Sequence, residues 1–137
     1  METLSVLRIE VPHPPSINHY WRRVGPRTLI SKGGRLFRRD VCRLLRDMDV
    51  RPIAGPLSVD VLIHPPDRRR RDIDNVLKAL LDALQHGGAY EDDNQIVDLS
   101  IHKRCPIKGG KAIVQIEKAD GRLCPQLSPR KKGVSEV

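Results

Sequence analysis

The chain has 137 residues, about the size of one ordinary domain, and 39% of them are hydrophobic, which is enough to form one core. Its formal net charge of +8 predicts a surface that attracts polyanions such as phosphate backbones. Aromatic residues make up only 3% of the chain, which argues against a protein that stacks on single-stranded bases, and no apolar run approaches the ~20 residues of a membrane span.

The cysteines and the N-terminus favour a reducing compartment. Cys42, Cys105 and Cys124 are odd in number, and neither they nor the histidines show zinc-ligand spacing. We therefore expect reduced thiols in a cytoplasmic protein. Residues 1–4 lack the charged region and apolar run of a signal peptide.

The first half of the chain predicts a strand, a long loop and a helix. Residues 4–11 alternate between apolar and polar side chains, as a strand does, and prolines end this pattern. Residues 12–33 are predicted to be a loop, of a length that is often functional. Residues 36–48 carry an apolar stripe at helical spacing, and arginines occupy the other faces.

The second half adds a strand, a helix and two further strands. Residues 57–63 show a strand pattern, and residues 74–85 predict a helix that Asp72 or Asp74 caps and Gly87-Gly88 ends. Two more strands are predicted at residues 96–103 and 112–118.

Between the last two strands, residues 108–111 are typical of a hairpin turn. The resulting order β-α-β-α-β-β predicts an α+β fold: a two-layer single domain over residues 1–120, with helices packed on a mixed β-sheet. Residues 121–137 are rich in Pro, Ser, Lys and Arg and predict a basic tail without fixed structure.

The most informative stretch joins opposite charges, because the arginine run 68–71 leads directly into Asp72 and Asp74. Guanidinium groups attract phosphates and carboxylates repel them. The two belong together if a divalent metal binds the carboxylates and a phosphodiester binds the metal. On extended backbone, residues i and i+2 point to the same side, so the two carboxylates would converge on one Mg²⁺ or Mn²⁺. An Asp-x-Asp pair is equally typical of a helix cap, and the spacing leaves both interpretations open.

Two further charged groups follow. Lys78 lies one helical turn after Asp74 and one turn before Asp82. On spacing alone, a surface i,i+4 ladder is favoured over a Lys78 that stabilises charge on a phosphate. The pair Asp92-Asp93 is more typical of a solvated turn. However, the predicted helix at residues 74–85 leads away from Asp74 and the strand at residues 96–103 returns. This return would bring the pair Asp92-Asp93 toward the same edge of the sheet as Asp74.

The combined motif resembles the RusA family of Holliday-junction resolvases. Residues 70–84 carry Asp-x-Asp-Asn, a Lys one turn later and Asp-Ala-Leu, and residues 92–96 carry Asp-Asp-x-Gln-Ile. Segments 14–21 and 31–35 are also similar to the family's N-terminal region, so that the resemblance covers residues of about 5 to 118.

The resemblance implies specific roles and partners. Asp72, Asp74 and Asp93 would be catalytic metal ligands, and Lys78 would be the catalytic lysine, which reverses the preference for a surface ladder. The metal would be Mg²⁺, with Mn²⁺ as a substitute. The protein would be a homodimer that cuts four-way DNA junctions by paired symmetric nicks, in a bacterial or phage-infected cell, with no membrane or small-molecule substrate. We expect the DNA contacts from Arg68, Arg69, Arg70, Arg71 and Asn75.

Two alternatives stay open. One is a metal-dependent nuclease that prefers flaps or forks, and the other is a branched-DNA-binding protein without activity. An RNA-binding module is less favoured because no RNA-recognition motif is present.

Overall fold

A computed structural model describes residues 6–119, apart from the side chain of Asn18; the start of the predicted first strand, Cys124 and the predicted tail lie outside the described residues. In chain order the helices and strands are β1 (Val6–Val11), α1 (Ile17–Tyr20), β2 (Trp21–Val24), β3 (Arg27–Ile30), α2 (Lys32–Asp47), β4 (Leu57–His64), α3 (Leu77–His86), β5 (Ile96–Lys103) and β6 (Lys111–Lys118). Short 3₁₀ turns precede α3 at Ile73–Val76 and β5 at Asp93–Gln95.

The main sheet has four strands in the order β1-β6-β4-β5. β4 and β5 are parallel, whereas β6 runs antiparallel to both β1 and β4. The sheet is therefore mixed, and the predicted α+β class is confirmed.

One apolar core joins the sheet to the helices. Alternate residues of β1 and β4 are buried, as expected for strands with one covered face. The helices bury their apolar stripes in the same cluster, which includes Phe37, Val41 and Leu45 from α2 and Leu80 and Leu84 from α3. No helix within residues 6–119 is long and apolar enough to cross a membrane.

The predicted hairpin between the last two strands is wrong. The turn at residues 108–110 exists, with φ of 84° at Gly109 and 70° at Gly110, but β4 lies between β5 and β6. After β5, the chain crosses the end of β4, where Arg104 N–H donates to the Ile63 carbonyl and Ile107 N–H to the Pro65 carbonyl. These two hydrogen bonds hold the connection across the end of β4, so that β6 pairs with β4 on the side opposite to β5.

The predicted loop at residues 12–33 is also corrected, because it contains α1 and a second, two-stranded sheet formed by β2 and β3. The following helix begins at Lys32 rather than residue 36. The hydroxyl of Ser31 caps it by accepting a hydrogen bond from Gly34 N–H at 2.9 Å. Gly34 is required here, since a Cβ would lie 2.5 Å from the Tyr20 carbonyl oxygen.

Candidate nucleic-acid interface and acidic site

The arginine run occupies the loop between β4 and α3, which an internal ion pair shapes. Asp67 accepts hydrogen bonds from Arg69 N–H at 3.0 Å and from Arg71 Nη1 at 2.7 Å. These contacts lower the pKa of Asp67 to about 2 and raise the pKa of Arg71. Lys103 Nζ, at the end of β5, donates to the Arg71 carbonyl at 2.8 Å. The loop is thereby held against the C-terminal end of β5.

The other three arginines of the run, Arg68, Arg69 and Arg70, are exposed. Their guanidinium groups form no ion pair with any side chain in the described part of the chain. Of the four arginines, Arg71 therefore stabilises the loop through its ion pair with Asp67, and the other three guanidinium groups are exposed to solvent.

Asp72 and Asp74 follow at the start of the 3₁₀ turn. Asp72 is extended, with φ −78° and ψ 135°, and its carboxylate makes no capping hydrogen bond. Asp74 already lies inside the turn, so the expected extended i, i+2 geometry does not hold. The predicted side-chain cap is also wrong: Asp72 occupies the N-cap position, but its backbone carbonyl, not its carboxylate, accepts from Asn75 N–H at 3.1 Å. Within residues 6–119, both exposed carboxylates lack a hydrogen bond or ion pair.

Lys78 lies in the first turn of α3, exposed and one turn beyond Asp74. The surface ladder with Asp74 and Asp82 does not form. The Asp82 carboxylate instead accepts hydrogen bonds from the Tyr20 hydroxyl and from Arg38 Nη2, the latter at 2.9 Å. Among the described residues no carboxylate pairs with Lys78, so its ammonium group is available to a ligand.

The contacts of Asp82 connect three helices, because Tyr20 ends α1, Arg38 lies in α2 and Asp82 in α3. Burial and the hydrogen bond to Asp82 raise the pKa of Tyr20 to about 12. Burial alone would raise the pKa of Asp82, but the hydrogen bonds from Tyr20 and Arg38 outweigh it and lower that pKa. Asp82 therefore has a structural role. The spacing of residues in the sequence does not indicate Tyr20 and Arg38 as its partners.

The second acidic turn uses its two aspartates differently. Asp92 is the N-cap of a capping box: its carboxylate accepts from Asn94 N–H, and Gln95 Oε1 accepts from Asp92 N–H at 3.0 Å. Gln95 also donates to the carbonyls of Ile53 and Gly55. Asp93 contributes its backbone N–H to Gln85 Oε1 at 2.9 Å, and its carboxylate makes no such contact within residues 6–119. The geometry thus gives a physical reason to prefer Asp93 over Asp92 as a ligand.

The expected convergence of Asp93 with Asp74 is wrong for a single chain. The arginine loop contacts the C-terminal end of β5, whereas Asp93 precedes its N-terminal end. Ten-residue α3 separates the two acidic segments and spans roughly 15 Å. Within residues 6–119 no three His, Cys, Asp or Glu side chains cluster closely enough to hold a metal ion. The donor chemistry of Asp72 and Asp74 suits a hard cation that keeps several waters, but one chain does not bring the third carboxylate to them.

A cleft of about 360 Å³ adjoins the arginine loop and the 3₁₀ turn. Its walls include Arg69, Arg70, Arg71 and Asn75, together with His13, Pro14, Pro15, Ser16, His19 and Val76. His13 and His19 were not expected here, because their positions in the sequence show no ligand spacing. Burial and the nearby Arg71 lower the pKa of His13, and its Nε2 is buried without a partner among the described residues.

A basic cleft, with carboxylates and a lysine near it that have no partner in the described part of the chain, has the features of a site that binds phosphodiesters. The family model described as Endodeoxyribonuclease RusA matches residues 12–117 of this chain. The chain is 40% identical over 107 residues to the crossover junction endodeoxyribonuclease rusA of Enterobacteria phage HK97, covering 77% of this chain and 89% of that protein. It is 39% identical over 110 residues to the crossover junction endodeoxyribonuclease RusA of Escherichia coli (strain K12), covering 79% and 91%. The chain therefore belongs to the endodeoxyribonuclease RusA family.

Proposed function

We propose that this chain is a crossover junction endodeoxyribonuclease that resolves four-way DNA junctions by paired symmetric nicks. The observation that carries the proposal is the pair of carboxylates, Asp72 and Asp74, that have no partner among residues 6–119 and lie beside the arginine-lined cleft in a chain of the RusA family. The reaction hydrolyses a phosphodiester: a water oxygen bonds to phosphorus, the P–O3′ bond breaks, and the products are a 5′-phosphate and a 3′-hydroxyl. We place this activity in the cytoplasm of a bacterial or phage-infected cell, where such DNA is found.

Asp72, Asp74 and Asp93 would hold Mg²⁺, with Mn²⁺ as a substitute. The bound ion supplies Lewis-acid polarisation of the phosphate and an activated water. Support comes from the oxygen-donor chemistry of three carboxylates that accept no side-chain cap bond and form no ion pair within residues 6–119. Titration calorimetry with Mn²⁺ tests this without any reaction: wild type should bind, and Asp72→Asn should bind more weakly. Equal heats for the two proteins would contradict the assignment.

Lys78 would stabilise the charge that develops on the phosphate. Its support is position, because it follows Asp74 by one turn and has no carboxylate partner in the described part of the chain. An ammonium group aimed at the transition state is worth about 10²-fold or more in rate.

The cleft residues would bind the DNA backbone. The guanidinium groups of Arg68, Arg69 and Arg70 have no ion-pair partner within residues 6–119. Arg71 shapes the loop through Asp67, and Asn75 lines the cleft. Each phosphate that such a cation contacts increases the salt dependence of the DNA affinity, so that binding weakens more steeply as the salt concentration rises.

Two copies of the chain would form the active enzyme, because a two-fold homodimer matches the near two-fold symmetry of an open junction. The placement of the acidic segments at opposite ends of β5 supports sites shared between copies, with Asp72 and Asp74 from one chain and Asp93 of the partner subunit. Mixing Asp74→Asn with Asp93→Asn protein tests this. In a shared arrangement, the mixed dimer retains one intact site and nicks DNA. If each chain builds its own site, the mixture stays inactive.

A substrate panel tests the function and separates it from its alternatives. Wild type, Asp74→Asn and the control Asp47→Asn, whose carboxylate is exposed at the end of α2, are incubated with Mg²⁺ and a four-way junction, a fork, a flap or a linear duplex. We expect wild type and control to cut the junction fastest, and Asp74→Asn to bind it without cutting. Faster cutting of forks or flaps would favour the alternative nuclease. Binding without cleavage by wild type would favour a non-enzymatic protein.

A further inference from the structure

The small β2–β3 sheet has an outward face that combines arginines with exposed apolar side chains. Its strands pair through Trp21↔Ile30, Arg22↔Leu29, Arg23↔Thr28 and Val24↔Arg27. Directly opposed residues share a face, and successive residues alternate between faces. One face carries Trp21 and Ile30, which pack against the core. The other, which we call the ribbon face, carries Arg22, Val24, Arg27 and Leu29.

The base of this ribbon is fixed to the helices beside the site. Ser31 N–H donates to the Tyr20 carbonyl at 2.8 Å, and Ser31 Oγ donates to the His19 carbonyl at 2.6 Å. The Tyr20 ring is fully buried, and its hydroxyl bonds to Asp82 on α3. The ribbon is thus oriented relative to the helix that carries Lys78.

The turn at the tip of the ribbon has open space around it. Gly25 has a φ of 61° and precedes Pro26 in a two-residue turn, as a type II′ hairpin requires. A Cβ built on Gly25 would meet no atom within 4 Å, so that the tip projects from the body. Ser16 and His19, just before the ribbon, line the cleft. The chain therefore passes from the wall of the cleft into β2 within two residues of His19.

The charge of this region is of one sign. No Asp or Glu occurs in residues 11–39, which hold seven basic side chains: Arg22, Arg23, Lys32, Arg27, Arg35, Arg38 and Arg39. The three ribbon arginines form no ion pair or hydrogen bond through their side chains within residues 6–119. They are available to phosphates, and a two-stranded ribbon is narrow enough to enter a DNA groove.

The apolar members of the ribbon face require a further explanation. Val24 is 42% exposed and Leu29 38% exposed, on the face that points away from the core. In intact duplex, stacking hides the faces of the bases, and apolar side chains reach them only where a base step is opened. A branch point is such a place. Arginines beside apolar side chains therefore fit DNA whose backbone is charged and whose bases are partly unstacked.

We propose that the ribbon face binds the branch point of the DNA, an inference that rests on the proposed function. Arg22 and Arg27 contact phosphates, which adds affinity for any DNA. Val24 and Leu29 pack against bases exposed at the branch, which adds preference for branched over linear DNA. Val24 and Leu29 are thus specificity-determining residues, distinct from those that hold the metal.

The test measures dissociation constants for a four-way junction and for a linear duplex of the same arm sequence, with metal chelated. The apolar variant is Val24→Ser/Leu29→Ser, with Val6→Ser, an exposed valine on β1, as its control. The basic variant is Arg22→Gln/Arg27→Gln, with the exposed Arg51→Gln as its control. All six substituted positions are exposed, and melting temperatures equal to wild type verify the fold.

We expect the apolar variant to lose about tenfold in junction affinity and to bind duplex like wild type. The basic variant should bind both DNAs more weakly, with the slope of log K against log salt reduced by about 2. A 2-aminopurine placed at the branch should change fluorescence with wild type and much less with the apolar variant.

The possible failures are distinguishable. If wild type prefers the junction and the apolar variant matches Val6→Ser on both DNAs, the ribbon inference falls and the proposed function stands. If wild type binds junction and duplex equally, the ribbon inference also falls, and the cleavage panel decides the proposed function separately.

Discussion

Replacing Tyr20 with phenylalanine removes one hydroxyl and keeps the buried ring, so the variant isolates the contact that fastens α1 to α3. The hydroxyl donates to the Asp82 carboxylate, which also accepts from Arg38. Hydrogen bonds to charged groups are worth about 1.5–3 kcal/mol when buried. The side chain of Asp82 is 30% exposed and so partly screened, which favours the lower half of that range. We expect a loss of about 2 kcal/mol in the free energy of unfolding.

For a domain of this size, that loss lowers the melting temperature by about 8 °C. Urea unfolding followed by circular dichroism gives the free energy directly. The matched control is Tyr90→Phe, since Tyr90 is also buried and its hydroxyl donates to the neutral Leu81 carbonyl at 2.8 Å. That variant should lose about 1 kcal/mol.

A double-mutant cycle of Tyr20→Phe with Asp82→Asn tests the pairing itself. Because the two groups are direct partners, the coupling should be at least about 1 kcal/mol. Additive effects, or a Tyr20→Phe loss no larger than that of the control, would refute the account of this contact.

Three further outcomes follow from burial and hydrogen bonding. Leu80→Ala should cost about 2–5 kcal/mol in urea unfolding because Leu80 is fully buried, whereas Leu36→Ala, 40% exposed, should cost far less. The pKa of Asp82 is lowered in the folded state, so the stability that Asp82 contributes is present above its unfolded pKa near 4 and is lost as the pH falls through its folded pKa. Asp82→Asn should therefore flatten this part of the acid-unfolding curve. An unchanged curve would contradict the assignment. Gln95→Ala removes the bonds that hold the second acidic turn and should slow cleavage through displacement of Asp93, while binding affinity for the junction stays that of wild type.

The sequence predicts those elements whose signal is local. Alternation along β4 and the leucine stripe of α3 follow from periods of 2 and 3.6, and both elements lie close to the predicted bounds. The pairing of strands is not local. The turn at residues 108–110 predicts a reversal of the chain, but tertiary hydrogen bonds to Ile63 and Pro65 and the antiparallel pairing with β4 place β6 beyond β4.

The β2–β3 ribbon was missed for a physical reason. Each strand has four residues, and the ribbon face mixes arginine with exposed Val24 and Leu29, so no apolar-polar alternation marks it. The Gly25-Pro26 turn was its only local signal. Functional surfaces depart from ordinary patterning in this way.

The candidate site was predictable in composition and not in arrangement. Residue types and spacing left Asp72 and Asp74 open between a metal site and a helix cap, and only the family resemblance assigned a role to Lys78. All three have side chains without partners among residues 6–119. The partners of Asp82 lie 62 and 44 residues away in the chain, which no spacing argument reaches. Likewise, the direction of α3, which places Asp93 at the opposite end of β5, depends on the tertiary fold.

The most direct test maps the cuts on a four-way junction whose four strands are labelled in turn. With Mg²⁺, wild type should nick two opposing strands at symmetry-related positions, leaving products that DNA ligase seals, and Asp74→Asn should leave all four strands intact. Wild type that leaves the junction uncut, or that cuts linear duplex at the same rate, would contradict the proposed junction-resolving activity.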